Sequence, residues 1–456
     1  MESPRFQQIG FWRSMKPFMA WTTSRMLARP LWTVFVTALV VRLCVVALVA
    51  LFADGYLFQD DHGYLQLAEQ HTDRSELWDA GSQRFWKTNL SFLAPISFLF
   101  DVVGPYPALA QSLQALAGAW TATCVTMLVG RHARPGISLG AGMVAALYPS
   151  QVLWSSLVLK DALVWMCLAT IAVVIARWQE SGDRVPFAIG STGLLLLLLY
   201  LSHLRAHTLV TTCLALVVSV SWRPSPLRLA RIVIALLFLL LIPLTVDAGL
   251  GGNRLWRIGL FGMEEQRQAG AVGAATALVE IPAHTQLSLA QERVAALEAE
   301  LKLAREDLEN WIDQVESTIP STITDDLLYL PTGIRVMLVD PLPQHLGNNR
   351  NLILAFSEHL IWYPALLLCL LGLPSALRGS AELTFSSFVA LGLLVMWALV
   401  EGNFGTAFRH KGEFVWAVLV FAGVGAEQLA RRRSSLAERL QHSGSPNCSH
   451  LTTEPT

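Results

Sequence analysis

The sequence predicts an all-α integral membrane protein with about ten transmembrane helices, juxtamembrane helices in its first outer loop and one large helical outer loop. Three observations predict it. Of 456 residues, 53% are apolar and only 15% are charged, against roughly a quarter charged in soluble domains. The mean hydropathy is +0.47. The apolar residues are gathered into runs close to the ~20 residues that cross a hydrocarbon core. The formal net charge is −1, so no bulk basic field points to nucleic acid as a partner. Five cysteines, Cys44, Cys124, Cys167, Cys213 and Cys369, lie in apolar runs and Cys448 lies in the polar tail, which argues against a disulfide framework or a thiolate metal cage.

The expected spans lie near 31–53, 108–129, 137–154, 158–176, 187–202, 207–222, 232–249, 358–374, 384–400 and 413–430. The apolar stretch 90–103 is interrupted by Pro95 and ends at Asp101, so it reads as a helix in or dipping into the interface. Charge fixes the orientation, because Lys and Arg collect in short cytoplasmic loops. With both termini inside, the inner segments carry seventeen basic residues and the short outer segments seven. The expected location is therefore a bacterial-type inner membrane, with no removable signal peptide.

Five segments follow. Residues 1–30 interleave Phe11, Trp12, Phe18 and Trp21 with Arg13, Lys16 and Arg25, the composition of an amphipathic cytoplasmic anchor. Residues 31–249 form the first transmembrane module, including an outer loop at 54–107. Residues 250–350 form an outer-face helical domain, and 351–430 the last transmembrane helices. Residues 431–456 read as a disordered cytoplasmic tail. Within the long loop, Ala290, Val294, Leu297, Leu301, Ala304, Leu308, Trp311 and Val315 alternate spacings of three and four. That is a heptad seam over 287–315. The favoured partner is intramolecular, a helix at 262–279 or the membrane-proximal chain, and the alternative is a second copy or another protein. Pro320, Pro331, Pro341 and Pro343 punctuate the return to the membrane.

No GxGxxG, phosphate loop, HExxH or paired CxxC is present, which removes support for nucleotide hydrolysis and the common zinc chemistries. The unexplained polar residues cluster on the outer face. The segment from Asp54 to Lys87 holds seven acids and three bases. Within it, Asp60 and Asp61 follow the membrane exit by a few residues, where a partly desolvated carboxylate becomes a better general base. As adjacent oxygen ligands they leave a divalent metal open, although two are few. Tyr64, Leu65, Leu67 and Ala68 then suit an amphipathic helix resting on the bilayer. Other outer ends carry Lys160 with Asp161, Arg205 with His207, Arg409 with His410 and Lys411, and Glu358; Arg84 and Lys87 add cations to the first loop. Arg suits bidentate phosphate binding and Lys acts as a point charge. His203 and His207, four apart on one helical face, offer either a metal-ligating pair or, the favoured reading, an interfacial polar pair. Arg42, midway along the first span, requires an internal partner.

An outer acid beside several cations at an interface that accepts lipid suits transfer from a lipid phosphate. The carboxylate deprotonates an acceptor hydroxyl while the cations stabilise charge on the leaving phosphate. Arg42, FQDDHGYLQLAEQ and SFLAPISFLFDVVGPYPALAQSLQALAGAWTATCVTMLVGRHA together resemble the GT-C superfamily of membrane glycosyltransferases. Its relatives include protein O-mannosyltransferases and lipid A aminoarabinose transferases. AALYPSQVLWSSLVLKDAL resembles the third and fourth spans of that fold. AFRHKGEFVWAVLVFAGVG resembles its late Arg-Tyr segment, with His410 in place of the Tyr. DPLPQHLGNNRNLILAFSEHLIWYPALLLCLLGL resembles bacterial members that are mostly uncharacterised. The resemblance covers spans one to four and the last three.

It implies an inverting transferase using a polyprenyl-phosphate sugar on the outer face, with Asp60 as base, Asp61 as its competitor and Arg409 toward the donor phosphate. It assigns no role to Lys160 or Asp161. The acceptor is a glycan, lipid or protein. The competing expectations are a glycan polymerase or ligase, a lipid-carrier transporter or flippase, and a non-catalytic assembly factor acting through the heptad helix.

Overall fold

The computed structural model describes residues 29–72, 89–180, 183–222, 227–247, 323–342, 356–375, 380–400 and 404–443. The amphipathic segment 1–28, Arg84, Lys87, the heptad region 287–315 with its candidate partner 262–279, and the last residues from 444 lie outside the described residues. Among the described residues the chain is all-helical, with no strand. The helices are α1 (Pro30–Phe52), α2 (Gln59–Thr72), α3 (Leu90–Val103), α4 (Pro107–Gly130), α5 (Pro135–Leu147), α6 (Pro149–Trp154) and α7 (Asp161–Glu180). Then come α8 (Arg184–Leu204), α9 (Ala206–Trp222), α10 (Arg228–Asp247), α11 (Ile323–Leu338), α12 (His359–Gly372), α13 (Ala381–Val400) and α14 (Phe404–Ser443).

Six of them, α1, α4, α7, α8, α13 and most of α14, are long and apolar enough to cross a membrane. Others that the sequence places as spans are shorter: α9 has 17 residues and α12 has 14. The run 137–154 is broken into α5 and α6 at Pro149. Proline opens α1, α4, α5 and α6, where its missing N–H costs nothing and its fixed φ suits the first turn.

Helix α14 is the axis of the bundle. Residues 411–425 are buried without interruption, as befits a helix apolar around its whole circumference, and it packs against α4, α5, α7, α12 and α13. Its crossing with α12 is a backbone contact: a Cβ on Gly425 would lie 2.0 Å from the Leu368 carbonyl oxygen, and one on Gly372 would lie 2.1 Å from that of Phe421. Small residues are what permit such an approach between helices in lipid. Gly425→Val is therefore expected to force the pair apart and destabilise the protein by about 1–3 kcal/mol or more, read as a lower unfolding midpoint in detergent. An unchanged midpoint would contradict the close crossing.

Two sequence expectations need correction. The chain beyond 430 is not a disordered tail from the membrane onward, because α14 runs on to Ser443. Good helix formers and the Arg431 to Glu427 ion pair, 2.8 Å and one turn apart, carry it there. At ~1.5 Å per residue, its 40 residues reach about 60 Å, twice the hydrocarbon thickness. The end of the long loop is likewise helical: α11 contains Pro331 within it and packs on α13. Met337 is buried there, so tertiary packing overrides the proline as a breaker.

Arg42 finds the internal partners that its position demands in one hydroxyl and two backbone carbonyls. The guanidinium donates from Nε to Ser155 Oγ at 2.7 Å and from Nη1 to the Ala38 and Ala146 carbonyls at 3.0 Å each. The Ala146 carbonyl is available because the α5 ladder stops at Pro149. On the other side of the same break, the freed Ser150 amide donates to Glu358 Oε2 at 2.9 Å. The broken helix thus turns a carbonyl end toward a buried cation and an amide end toward a buried anion, the senses favoured by the helix dipole. Gly118 leaves the room for this, since a Cβ there would lie 2.5 Å from Arg42 Nε.

Polar groups mark both ends of the bundle. At one end Arg131 pairs with Glu382 at 3.1 Å and with Glu180, while Arg134 pairs with Glu427 at 3.1 Å. These contacts tie the α4–α5 turn to α7, α13 and α14. At the other end lies the cluster described next.

Candidate active site

Helix α1 exits at Phe52, and a short turn delivers the chain to α2. Gln111 of α4 pins that turn by donating from Nε2 to the Gly55 carbonyl at 2.8 Å. The two aspartates that open α2 have opposite fates. Asp61 is fully buried. Its carboxylate accepts the amides of Leu57 at 3.1 Å, Phe58 at 2.8 Å and His62 at 3.1 Å, satisfying amides around a helix start, where intrahelical partners are few. Burial raises its carboxyl above the ordinary value, with the amides pulling the other way. Asp60 points outward with its side chain 64% exposed, and its Oδ2 receives Arg409 Nη1 at 2.7 Å.

Arg409 stands near the start of α14 and is the hub. Its Nε donates to Asp161 Oδ2 at 2.7 Å. Asp161, the first residue of α7, is fully buried, and its other oxygen takes Arg205 Nη2 at 2.6 Å. Arg205 sits in extended backbone at the junction of α8 and α9 and also pairs with the buried Glu413, which accepts the Thr208 hydroxyl at 2.9 Å. A continuous ladder results, from Asp60 at the surface through Arg409, Asp161 and Arg205 to Glu413. It joins α2, α14, α7 and the α8–α9 junction. Burial is tolerated because Arg409, Asp161 and Arg205 each meet opposite charge on both sides, and Glu413 is closed by Arg205 and the Thr208 hydroxyl.

Tyr64 lies on α2 with its ring edge-on to Phe92 of α3 at 5.0 Å, and Lys160 Nζ is 5.9 Å from the centre of that ring. Burial pushes the Tyr64 phenol up to about 12, so it stays protonated. The apolar face of α2 that the sequence assigns to the bilayer, Leu65 and Ala68, is buried against α3, where Ser97 donates to the Ala68 carbonyl at 3.1 Å. Phe98 and Val102 are the most exposed apolar residues of α3, at 68% and 67%, and Leu90 and Val103 are exposed as well.

The structure brings Asp60, Asp161, Arg205 and Arg409 together and separates Arg409 from its two neighbours. His410 stacks on Trp397 of α13 at 3.6 Å between ring centroids. Lys411 faces the other way, buried between Trp362 and Phe408 at 4.9 Å from each ring, with Glu358 Oε1 at 3.2 Å. Lys411 and Glu358 are thus a pair inside the bundle, not surface groups. His203 and His207 do not share one helix, since Arg205 interrupts it. Among the described residues no three His, Cys, Asp or Glu side chains gather as a metal site. Glu413 and Thr208 were not singled out from the sequence, although Glu413 lies one turn from Arg409 and so on its face.

No family model matches the chain, and no curated protein matches it.

Proposed function

We propose that the protein is an integral-membrane transferase that moves a glycosyl unit from a polyprenyl-phosphate carrier to the hydroxyl of a glycan, lipid or protein acceptor. The carrying observation is the exposed Asp60 carboxylate at 2.7 Å from an arginine that is anchored from behind by the buried Asp161. In this reading the chain crosses the membrane ten times with both termini in the cytoplasm, and this end of the bundle faces out. The exposed apolar side of α3 borders the same end, where a lipid-borne donor would arrive.

In the step itself, the acceptor oxygen attacks the anomeric carbon and its proton passes to the Asp60 carboxylate. The bond between the anomeric carbon and the phosphate oxygen breaks, and the electron pair leaves with the polyprenyl monophosphate. Arg409 receives the negative charge developing there, and Lys160 adds a second cation at the same end. Such fixed charges act most strongly where water is sparse. Asp161, Arg205 and Glu413 hold Arg409 in place and take no part in proton transfer. Asp61 shapes the turn that presents Asp60.

The test is consumption of a panel of radiolabelled polyprenyl-phosphate sugars by purified protein in lipid bilayers, with mixed hydroxyl acceptors. One donor is expected to be consumed with release of polyprenyl monophosphate. If every donor is left intact, the proposal fails.

A further inference from the structure

Asp60 and Arg409 are assigned to different partners during transfer, yet they hold each other at 2.7 Å. We infer that Asp60 is the resident occupant of an anion site on Arg409, and that a phosphate group enters the site by replacing it. This rests on the proposed function for the source of the phosphate, but the exchange itself follows from the ladder.

The two carboxylates on Arg409 are not equally replaceable. Asp161 is fully buried, with each of its oxygens taken by a different arginine. Its departure would strand two largely buried guanidiniums. Asp60 is mostly exposed, and among the described residues it is joined to Arg409 alone. An exposed ion pair is worth little, because water compensates both partners. The Arg409 side chain keeps 17% of its own surface open. A phosphate, with more charge and a geometry that matches the guanidinium fork, is the stronger ligand once it arrives.

Charge bookkeeping points the same way. With Asp60 in place, the ladder holds three carboxylates and two guanidiniums, and an anion finds no surplus of positive charge. With Asp60 swung away, two carboxylates balance two guanidiniums, and the excess negative charge that repels an anion is gone. Exchange also imposes an order on the reaction. The Asp60 oxygen that Arg409 holds becomes free to accept a proton only when a phosphate has taken its place.

The experiment is an equilibrium titration of the full-length protein in bilayers of neutral lipid, with a polyprenyl monophosphate as one probe and inorganic phosphate as the other. Wild type is compared with Asp60→Asn, Arg409→Gln and Glu69→Gln. The last removes an equal charge from an exposed residue elsewhere on α2. Asp60→Asn is expected to bind about fivefold tighter, about 1 kcal/mol, Glu69→Gln to match wild type, and Arg409→Gln to lose binding. A gain for both probes identifies a general phosphate site, and a gain for the lipid probe alone identifies a lipid-borne one; each supports the exchange. Equal or weaker binding by Asp60→Asn, an equal gain in Glu69→Gln, or no binding of either probe to any variant overturns it. Exchange observed in a protein that consumes no sugar donor would leave this inference standing and remove the transferase reading.

Discussion

Asp60→Asn is expected to reduce transfer by about 10²–10⁴-fold, the usual contribution of a positioned general base, corresponding to about 3–5 kcal/mol of lost transition-state stabilisation. Asparagine keeps the size of the side chain but accepts no proton. The fold should be indifferent, because Asp60 is exposed and its pair with Arg409 contributes at most about 1 kcal/mol. The loss should therefore appear in the chemical step under single turnover, with an unfolding midpoint like that of wild type. Asp61→Asn should reverse the pattern. Its carboxylate serves three amides, so stability falls while the remaining folded protein retains transfer. Equal turnover by Asp60→Asn and wild type would remove Asp60 from the chemistry.

Asp161→Leu is expected to cost about 3–5 kcal/mol of stability, the penalty for stripping one member from a buried ion-pair network. The substitution fills the volume but leaves Arg205 facing Glu413 alone and Arg409 held only by the exposed Asp60. A loss of that size is a large fraction of the ~5–15 kcal/mol that keeps a typical protein folded. Glu413→Gln should cost less, since an amide oxygen can still accept from Thr208 or Arg205. The check is chemical denaturation of both variants in the same detergent. A midpoint for Asp161→Leu within error of wild type would mean that the ladder contributes nothing to the fold.

Much of the helical frame is legible because apolar runs of membrane length leave few alternatives. The ends of α1, α4 and α7 fall within a few residues of the expected spans. Less legible are features decided by tertiary contact. Pro331 reads as a breaker, yet α11 continues through it while packed on α13. Arg42 demands a partner, and no sequence pattern could have named the Ala146 carbonyl, which is exposed only because Pro149 interrupts the ladder.

At the site, charges at span ends were the useful signal, since a charge near lipid needs a reason. It found Asp60, Asp161, Arg205 and Arg409. It also grouped Arg409, His410 and Lys411 by adjacency, where helical phase separates them. Successive residues of a helix are 100° apart, so Lys411 faces almost opposite to Arg409 and Glu413 returns to its side. Periodicity applied to AFRHKGEF would have exchanged Lys411 for Glu413. The unequal roles of Asp60 and Asp61 depend on which one folds back onto the amides of the preceding turn, and adjacent identical residues carry no sign of that.

The most direct test of a carboxylate base acting opposite a phosphate held at Arg409 is the anomeric configuration of the first product, read by proton NMR from a donor of known configuration. Attack from the side away from the phosphate predicts an inverted anomer, formed by wild type and lost in Asp60→Asn. A retained anomer, which requires a covalent sugar intermediate on the protein or attack from the face the phosphate leaves, would contradict it.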